Sequence, residues 1–350
     1  MTMKRISKGK FERMNRLSTE NGIINALALD QRGSIVKMIK SGTERNGKRF
    51  NMDLVYDFKK LVAQELSTEA SAMLIDEEMG FKAIEAKDSN TGLIMSYEQT
   101  GYDVDTPGRL PRFIENQSAQ MMVRKGADAL KVLLYFNPND PAEIQATKKA
   151  FVERYGTEAA AADIPTFLEI ITYDDKIGGS KSREFAKAKP ELVLRSISEF
   201  TKPQYHVDVL KLEVPFNPDY VAGLTDANVD PVYEEKDAKD YLHQMKGLVT
   251  RPYIFLSAGV PTPVFQKELQ LASEADSGFS GVLSGRATWI EGIDVYLNEG
   301  ADGLTKWLDS KGKQNIHDLA SILSEGAKPW YSVYGGLENI DVFDAKTVID

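Results

Sequence analysis

The chain contains no cysteine, only three histidines, and no apolar run near the roughly 18–20 residues that cross a membrane as a helix. The first absence excludes disulfides, iron–sulfur clusters and thiolate-ligated zinc. The third leaves no expected membrane partner. The N-terminus, MTMKRISKGKFERMNRL, is basic but lacks the apolar stretch of a secretory signal. Phe11, Met14 and Leu17 in it share a helical face, so a short packed helix is expected, in a cytoplasmic protein. Positive charge is also in deficit: 43 Lys and Arg against 52 Asp and Glu give a net charge of −9. No concentrated basic face exists beyond the N-terminal helix, so nucleic acid is not an expected partner. An acidic chain that binds an anionic metabolite must gather cations and backbone N–H groups locally.

What is present is a rhythm. Eight apolar, strand-like runs recur: 23–30, 72–76, 93–98, 129–136, 166–173, 208–215, 253–260 and 279–286. Near-continuous apolar runs mark strands covered on both faces, as in parallel sheets. Helical periodicity separates most of them, over 54–66, 111–125, 141–155, 181–200, 234–248, 263–275, 293–308 and 315–326, with a brief helix around 78–87. Eight strand–helix units predict an α/β fold, a (β/α)8 TIM barrel over about 20–330. No linker-like tract interrupts the 350 residues, so one domain is expected, with an N-terminal helix and a C-terminal extension. The polar segments 40–50 and 216–233 read as loops. A doubly wound sheet is the rival, but no Gly-x-Gly-x-x-Gly follows the first run.

Several of these strands carry charges where a core strand should not. In Asp208-Val209-Leu210-Lys211-Leu212-Glu213-Val214-Pro215, alternation sends Lys211 and Glu213 to one face and Leu210, Leu212 and Val214 to the other. The fourth run carries Lys131, the fifth Glu169, and the first ends in Asp30-Gln31-Arg32-Gly33. In a TIM barrel the strand C-termini form the active site. A lysine held there by burial beside a second cation can serve as a free amine, attack a ketone and form a Schiff base. Lys211 would be that nucleophile, Lys131 the second cation, and Glu169, on the strand between them, the proton carrier. The same residues could instead form a buried ion network that fills the barrel. Spacing alone does not choose between these readings.

The last two strands end in Ser257-Ala258-Gly259 and Ser284-Gly285-Arg286. This corner of the fold commonly holds phosphate, through backbone N–H groups and a helix N-terminus. Arg286 would add a bidentate contact. Glycines there also permit tight turns, but two such turns, one with an arginine, favour phosphate.

At these residues a resemblance becomes specific. ALALDQRGS (26–34), ADALKVLLYF (127–136), IPTFLEIITYDD (164–175), DVLKLEVP (208–215), YIFLSAGV (253–260) and FSGVLSGRATW (279–289) resemble the tagatose 1,6-diphosphate aldolase family. These are class I, Schiff-base aldolases of lactose and galactose breakdown in Gram-positive bacteria. The resemblance spans about residues 20–330. It implies cleavage of D-tagatose 1,6-bisphosphate to dihydroxyacetone phosphate and D-glyceraldehyde 3-phosphate, without metal or cofactor. It assigns the Schiff base to Lys211, acid–base work to Glu169, a neighbouring charge to Lys131 and substrate hydroxyls to Asp30 and Gln31. Phosphate goes to Ser257, Ala258, Gly259, Ser284, Gly285 and Arg286. Arg32 is a candidate for the second phosphate, although an arginine there is as often on the surface.

A metal-dependent aldolase would need several histidines at strand ends. His206 precedes the sixth strand, at the opposite end of the barrel, and His243 and His317 fall in helical stretches. Two alternatives remain. One is a sister class I aldolase for fructose 1,6-bisphosphate or a sulfonated ketose phosphate. The other is a non-catalytic metabolite-sensing barrel, against which the reactive lysine set argues. A homo-oligomer is the default expectation.

Overall fold

The structure is a computed structural model that describes residues 4–225 and 228–345. Two residues of the loop expected over 216–233, and the ends of the N-terminal helix segment and C-terminal extension, lie outside these. Eight parallel strands close a barrel: β2 (Ile24–Leu29), β3 (Ala72–Ile75), β4 (Gly92–Ser96), β5 (Ala129–Phe136), β6 (Thr166–Thr172), β7 (Val209–Leu212), β8 (Tyr253–Leu256) and β9 (Gly281–Ser284). β9 pairs with β2 to complete the ring. The TIM-barrel expectation therefore holds. Two further strands, β1 (Lys4–Ser7) and β10 (Ile340–Phe343), pair in parallel outside it.

Alternation along the strands divides the apolar residues into two cores. Leu27, Met73, Val132, Leu168, Leu210 and Phe255 face outward and pack under the helices. Ala26, Leu74, Ile94, Ala129, Phe167, Val209, Ile254 and Leu283 face the barrel axis. The axial core continues into Met14, Leu17, Trp330 and Tyr334, which close the N-terminal end of the barrel. The helix Lys8–Arg16 is thus the expected N-terminal helix, and it is anchored by Lys10, whose Nζ lies 2.7 Å from Asp208 just before β7. One pleat higher on the inward face, the axial residues change from apolar to charged: Val209 gives way to Lys211, Phe167 to Glu169 and Ala129 to Lys131. The barrel is greasy and plugged at its base and ionic at its mouth.

Two expectations fail. The 40–50 segment is not a loop throughout, because a helix runs Gly33–Arg45. Its exposed face is polar, which disguised it, while Ile35, Ile39 and Gly42 are buried. The helix expected over 111–125 covers only Ala119–Arg124, capped by the Ser118 side chain. Residues before it fold back on the end of β4 instead. Gln99 N donates to Arg112 O at 2.8 Å and Ile114 N to Tyr97 O at 3.1 Å. That pairing competes with helix formation and projects residues 100–111 over the mouth.

Candidate active site

Three carboxylates and two lysines converge at the C-terminal end of the barrel. Lys131 Nζ lies 2.7 Å from Asp30 Oδ2, 3.0 Å from Glu98 Oε1 and 2.7 Å from Glu169 Oε2. An ammonium has three protons, and here three acid groups occupy its surroundings. Lys211 differs. Among the described residues its one ion pair is to Glu169 Oε2 at 2.9 Å, and it lines both cavities at the mouth. Glu169 therefore bridges the two lysines. It is also the register partner of Lys211, which places their Cβ atoms side by side on the inward face.

The electrostatics follow from this crowding. Burial acts to raise Asp30, but Lys131, Lys211 and Arg32 outweigh it and hold the carboxyl well below the usual range. Burial likewise opposes the ionisation of Glu169, and the two lysines outweigh it, holding Glu169 below its ordinary value. Lys131, desolvated but surrounded by acids, is pushed well above the ordinary lysine value. It is a permanent cation. A lysine so committed cannot supply a free amine, which distinguishes it from Lys211.

The cluster sits at the junction of two cavities. One, of about 400 Å³, is lined by Ser257, Ala258, Gly259, Gly285 and Arg286. The other, of about 550 Å³, is lined by Asp30, Ser34, Lys37, Glu98, Arg109 and Lys131. Gln31, Glu169, Lys211 and Arg286 line both, so the two lobes flank the Lys211 amine. In the first lobe, Ala258 and Gly259 follow β8 with φ of 47° and 82°. Successive left-handed residues turn backbone N–H groups toward a common concavity suited to an anion. A Cβ on Gly259 would lie 2.5 Å from Arg286 Nη2, so the guanidinium rests directly on the glycine. Buried Gln31 Oε1 has no partner among the described residues.

Of the residues singled out in the sequence, Ser284 is not brought to either cavity. Its Oγ is buried and lies 2.9 Å from Thr288 Oγ1, which ties β9 to the short helix Arg286–Trp289. Arg32 is buried rather than on the surface: its Nη1 donates to Glu98 O at 2.9 Å and its Nη2 to Glu98 Oε1 at 3.2 Å, while it lines the second lobe and its buried Nε has no partner among the described residues. Glu213 does not touch the two lysines of the cluster. It accepts from Thr172 N at 2.8 Å and pairs with Lys189 at 3.6 Å, so it fastens the end of β6 to the loop after β7.

Glu98 and Arg109 were missed, as were Ser34 and Lys37 of the second lobe. Glu98 was visible as an acid ending the third apolar run, the same signal that exposed Glu169. Arg109 carried no local signal, since only the fold-back of 100–111 brings it to the mouth. Its guanidinium lies 4.2 Å from the centre of the Tyr173 ring, and Asp175 pairs with its Nη2 at 2.6 Å. The Tyr173 hydroxyl is itself fixed by Asp140 at 2.5 Å and Lys148 at 2.8 Å. The three histidines stay apart from the site: His206 precedes β7, His243 contacts Ala275 O, and His317 contacts Glu69. Among the described residues no cluster of acids and histidines is arranged to hold a metal ion, and no helix is long and apolar enough to cross a membrane.

The DeoC/LacD family aldolase profile matches residues 24–291. The chain belongs to the DeoC/LacD aldolase family. A tagatose 1,6-diphosphate aldolase of Listeria monocytogenes serotype 4a (strain HCC23) is 49% identical over 98% of this chain and 99% of its own length. Tagatose 1,6-diphosphate aldolase 2 of Enterococcus faecalis (strain ATCC 700802 / V583) is 43% identical over 93% of this chain and 97% of its own. Among solved structures, a fructose-bisphosphate aldolase from Plasmodium falciparum superposes with a TM-score of 0.65 over 91% of this chain and 97% of its own, at 14% identity. At that identity the likeness concerns the fold. Membership in an aldolase family means that this barrel makes and breaks a carbon–carbon bond, and the non-catalytic sensing barrel is not favoured.

Proposed function

We propose that the chain is a class I aldolase that cleaves D-tagatose 1,6-bisphosphate to dihydroxyacetone phosphate and D-glyceraldehyde 3-phosphate through a Schiff base on Lys211. The observation that carries this reading is the contrast between the lysines: among the described residues Lys131 is enclosed by three acids, whereas Lys211 pairs with one and lines both lobes. The names borne by relatives at 43–49% identity support the substrate.

In this mechanism the C1 phosphate occupies the lobe of Ser257, Gly259 and Arg286. That sets the C2 carbonyl against Lys211 Nζ. The amine adds to C2 after its proton passes to Glu169 Oε2, and loss of the C2 oxygen as water leaves a protonated imine. A base, Asp30 or Glu169, takes the C4 hydroxyl proton. The C3–C4 bond breaks, and its electron pair moves into the imine to give an enamine. D-glyceraldehyde 3-phosphate leaves through the second lobe, where Arg109, with Ser34 and Lys37, meets its phosphate. The enamine is protonated at C3, and water releases dihydroxyacetone phosphate. Lys131 keeps its charge throughout and stabilises the ionised carboxylates that do the proton transfers. The setting we infer is lactose and galactose breakdown in the cytoplasm, by a homo-oligomer.

The test is to incubate the protein with dihydroxyacetone phosphate, reduce with borohydride and map the adduct by mass. The expected result is a modification on Lys211, formed equally with EDTA present. No adduct on Lys211, or cleavage of tagatose 1,6-bisphosphate that stops with chelator, overturns the reading.

A further inference from the structure

Ion pairs join Asp30, Arg32, Glu98, Lys131, Glu169 and Lys211 into one cluster at the barrel mouth. Glu98 is the acid among them that the mechanism above leaves without a task. It lies two residues beyond β4, is buried, and its two oxygens are unlike. Oε1 accepts from Arg32 Nη2 at 3.2 Å and from Lys131 Nζ at 3.0 Å. Oε2 is buried with no partner among the described residues. A carboxylate spreads its charge over both oxygens, so an orphaned buried Oε2 would strand part of a charge in a low-dielectric site. A carboxylic acid has one carbonyl oxygen, which accepts, and one hydroxyl, which can be left unpaired at much lower cost. The contacts of Glu98 are those of the acid.

We propose that Glu98 is held as a neutral carboxylic acid and that its un-ionised state is what leaves Lys211 free to lose its proton. The argument rests on the Schiff-base reading of Lys211 and concerns how that amine is prepared. With Glu98 neutral, the charges of Lys131 and Arg32 are matched by Asp30 and Glu169. A protonated Lys211 is then the one unmatched cation in a desolvated cluster. With Glu98 ionised, all three cations are matched, and Lys211 has an electrostatic reason to stay an ammonium.

The surroundings agree. Arg32 and Asp30 face Glu98 from the segment after β2, Lys131 from β5, and the Tyr155 phenol from the helix Ala142–Ala161. Burial pushes Glu98 above the usual carboxylate range even against Lys131 and Arg32, while Asp30 and Glu169 are held below it. Acids whose environments push them apart take opposite proton states. Glu98 touches no reacting atom in this scheme, so it is a positioning residue for charge.

The test compares Glu98→Gln and Glu98→Ala with wild type, reading kcat/KM and the pH profile of borohydride trapping by dihydroxyacetone phosphate. Glutamine keeps the accepting oxygen and is permanently neutral. Glu98→Gln is expected to retain both rates within about threefold and to leave the acid limb of trapping where it is in wild type. Glu98→Ala, which removes the acceptor for Arg32 and Lys131, is expected to lose about tenfold or more, the scale of one charged hydrogen bond. The proposal is overturned if Glu98→Gln loses a hundredfold. It is also overturned if the acid limb of Glu98→Gln moves about one unit or more to lower pH, because removing a real negative charge would shift it that way. Equal rates in all three proteins overturn it too.

Should the Glu98 variants not fold, the infrared spectrum decides, taken in a Glu268→Gln background to remove the other carboxyl that burial pushes up. A protonated-carboxyl band at pH 7 is expected there, and its absence overturns the proposal. Failure of wild type to trap on Lys211 would instead defeat the Schiff-base reading and leave the infrared result standing.

Discussion

Glu169 and Lys211 are register partners on adjacent parallel strands, and Glu169 Oε2 lies 2.9 Å from Lys211 Nζ. The same oxygen lies 2.7 Å from Lys131 Nζ. One carboxylate thus serves a fixed cation on one side and the proposed nucleophilic amine on the other. Replacing Lys211 with methionine should abolish borohydride trapping and lower kcat/KM by at least about a thousandfold. Glu169→Gln should fall by about 10²–10⁴ in kcat, the range for a lost acid–base group, while an adduct on Lys211 still accumulates slowly. Fast trapping in Glu169→Gln would remove it from the proton path to the amine.

Lys131 is expected to matter for stability as much as for rate. Lys131→Met leaves Asp30, Glu98 and Glu169 without their shared cation. Breaking a buried ion pair by deleting one partner costs about 3–5 kcal/mol. Urea unfolding at pH 7 should show a loss of that size, and the loss should shrink at low pH, where the acids become protonated. An undiminished stability would mean that the acids find another counter-charge.

Gly259 is required twice over, by its φ of 82° and by Arg286 lying 2.5 Å from where a Cβ would stand. Gly259→Ala should therefore displace the guanidinium. Strain of about 1–3 kcal/mol, expressed in phosphate binding, predicts a KM for dihydroxyacetone phosphate raised about tenfold in the condensation direction, with a smaller change in kcat. An unchanged KM would place the C1 phosphate elsewhere.

Arg109 provides a test of substrate direction. Arg109→Ala should raise KM for the ketose bisphosphate about tenfold to a hundredfold, the worth of a hydrogen bond to a charged group. Cleavage of the corresponding ketose 1-phosphate should be untouched. Equal losses on both substrates would assign Arg109 to holding the 100–111 segment rather than the distal phosphate.

Glu268 makes stability depend on pH away from the active cluster. It is buried in the helix Thr262–Glu274, and burial first, with Glu213 and Asp219 adding and Lys189 opposing, pushes its carboxyl up to about 8. The folded state then binds a proton that the unfolded state releases above about 4.5. Between these values the folded protein loses stability as pH rises, by roughly 1.4 kcal/mol per unit. Glu268→Gln should stabilise by on the order of 3 kcal/mol at pH 7 and by nothing at pH 4, read from urea unfolding at both. The same gain at both pH values would exclude titration as the cause.

The primary structure determined the barrel and the identity of its reactive strands. Eight apolar runs with charges at alternating positions dictate which side chains face inward, because the strand period is two and a parallel strand must cover both faces. Lys131, Glu169 and Lys211 were legible for that reason, and so was the glycine-rich corner at Gly259 and Gly285. The sequence already assigned the nucleophile to Lys211; what it could not supply was the set of partners around each lysine. That depends on the number of acids within reach of each amine, and segments far apart in the chain contribute them: Asp30 from just after β2, Glu98 from just after β4 and Glu169 from β6 all meet Lys131. The fate of Arg32 and the arrival of Arg109 were equally hidden. One was withdrawn from the surface by Glu98 and the other delivered by a fold-back onto β4. Local periodicity sets the direction of a side chain, but its partners are set by barrel closure, which brings these distant strand ends within ion-pair distance.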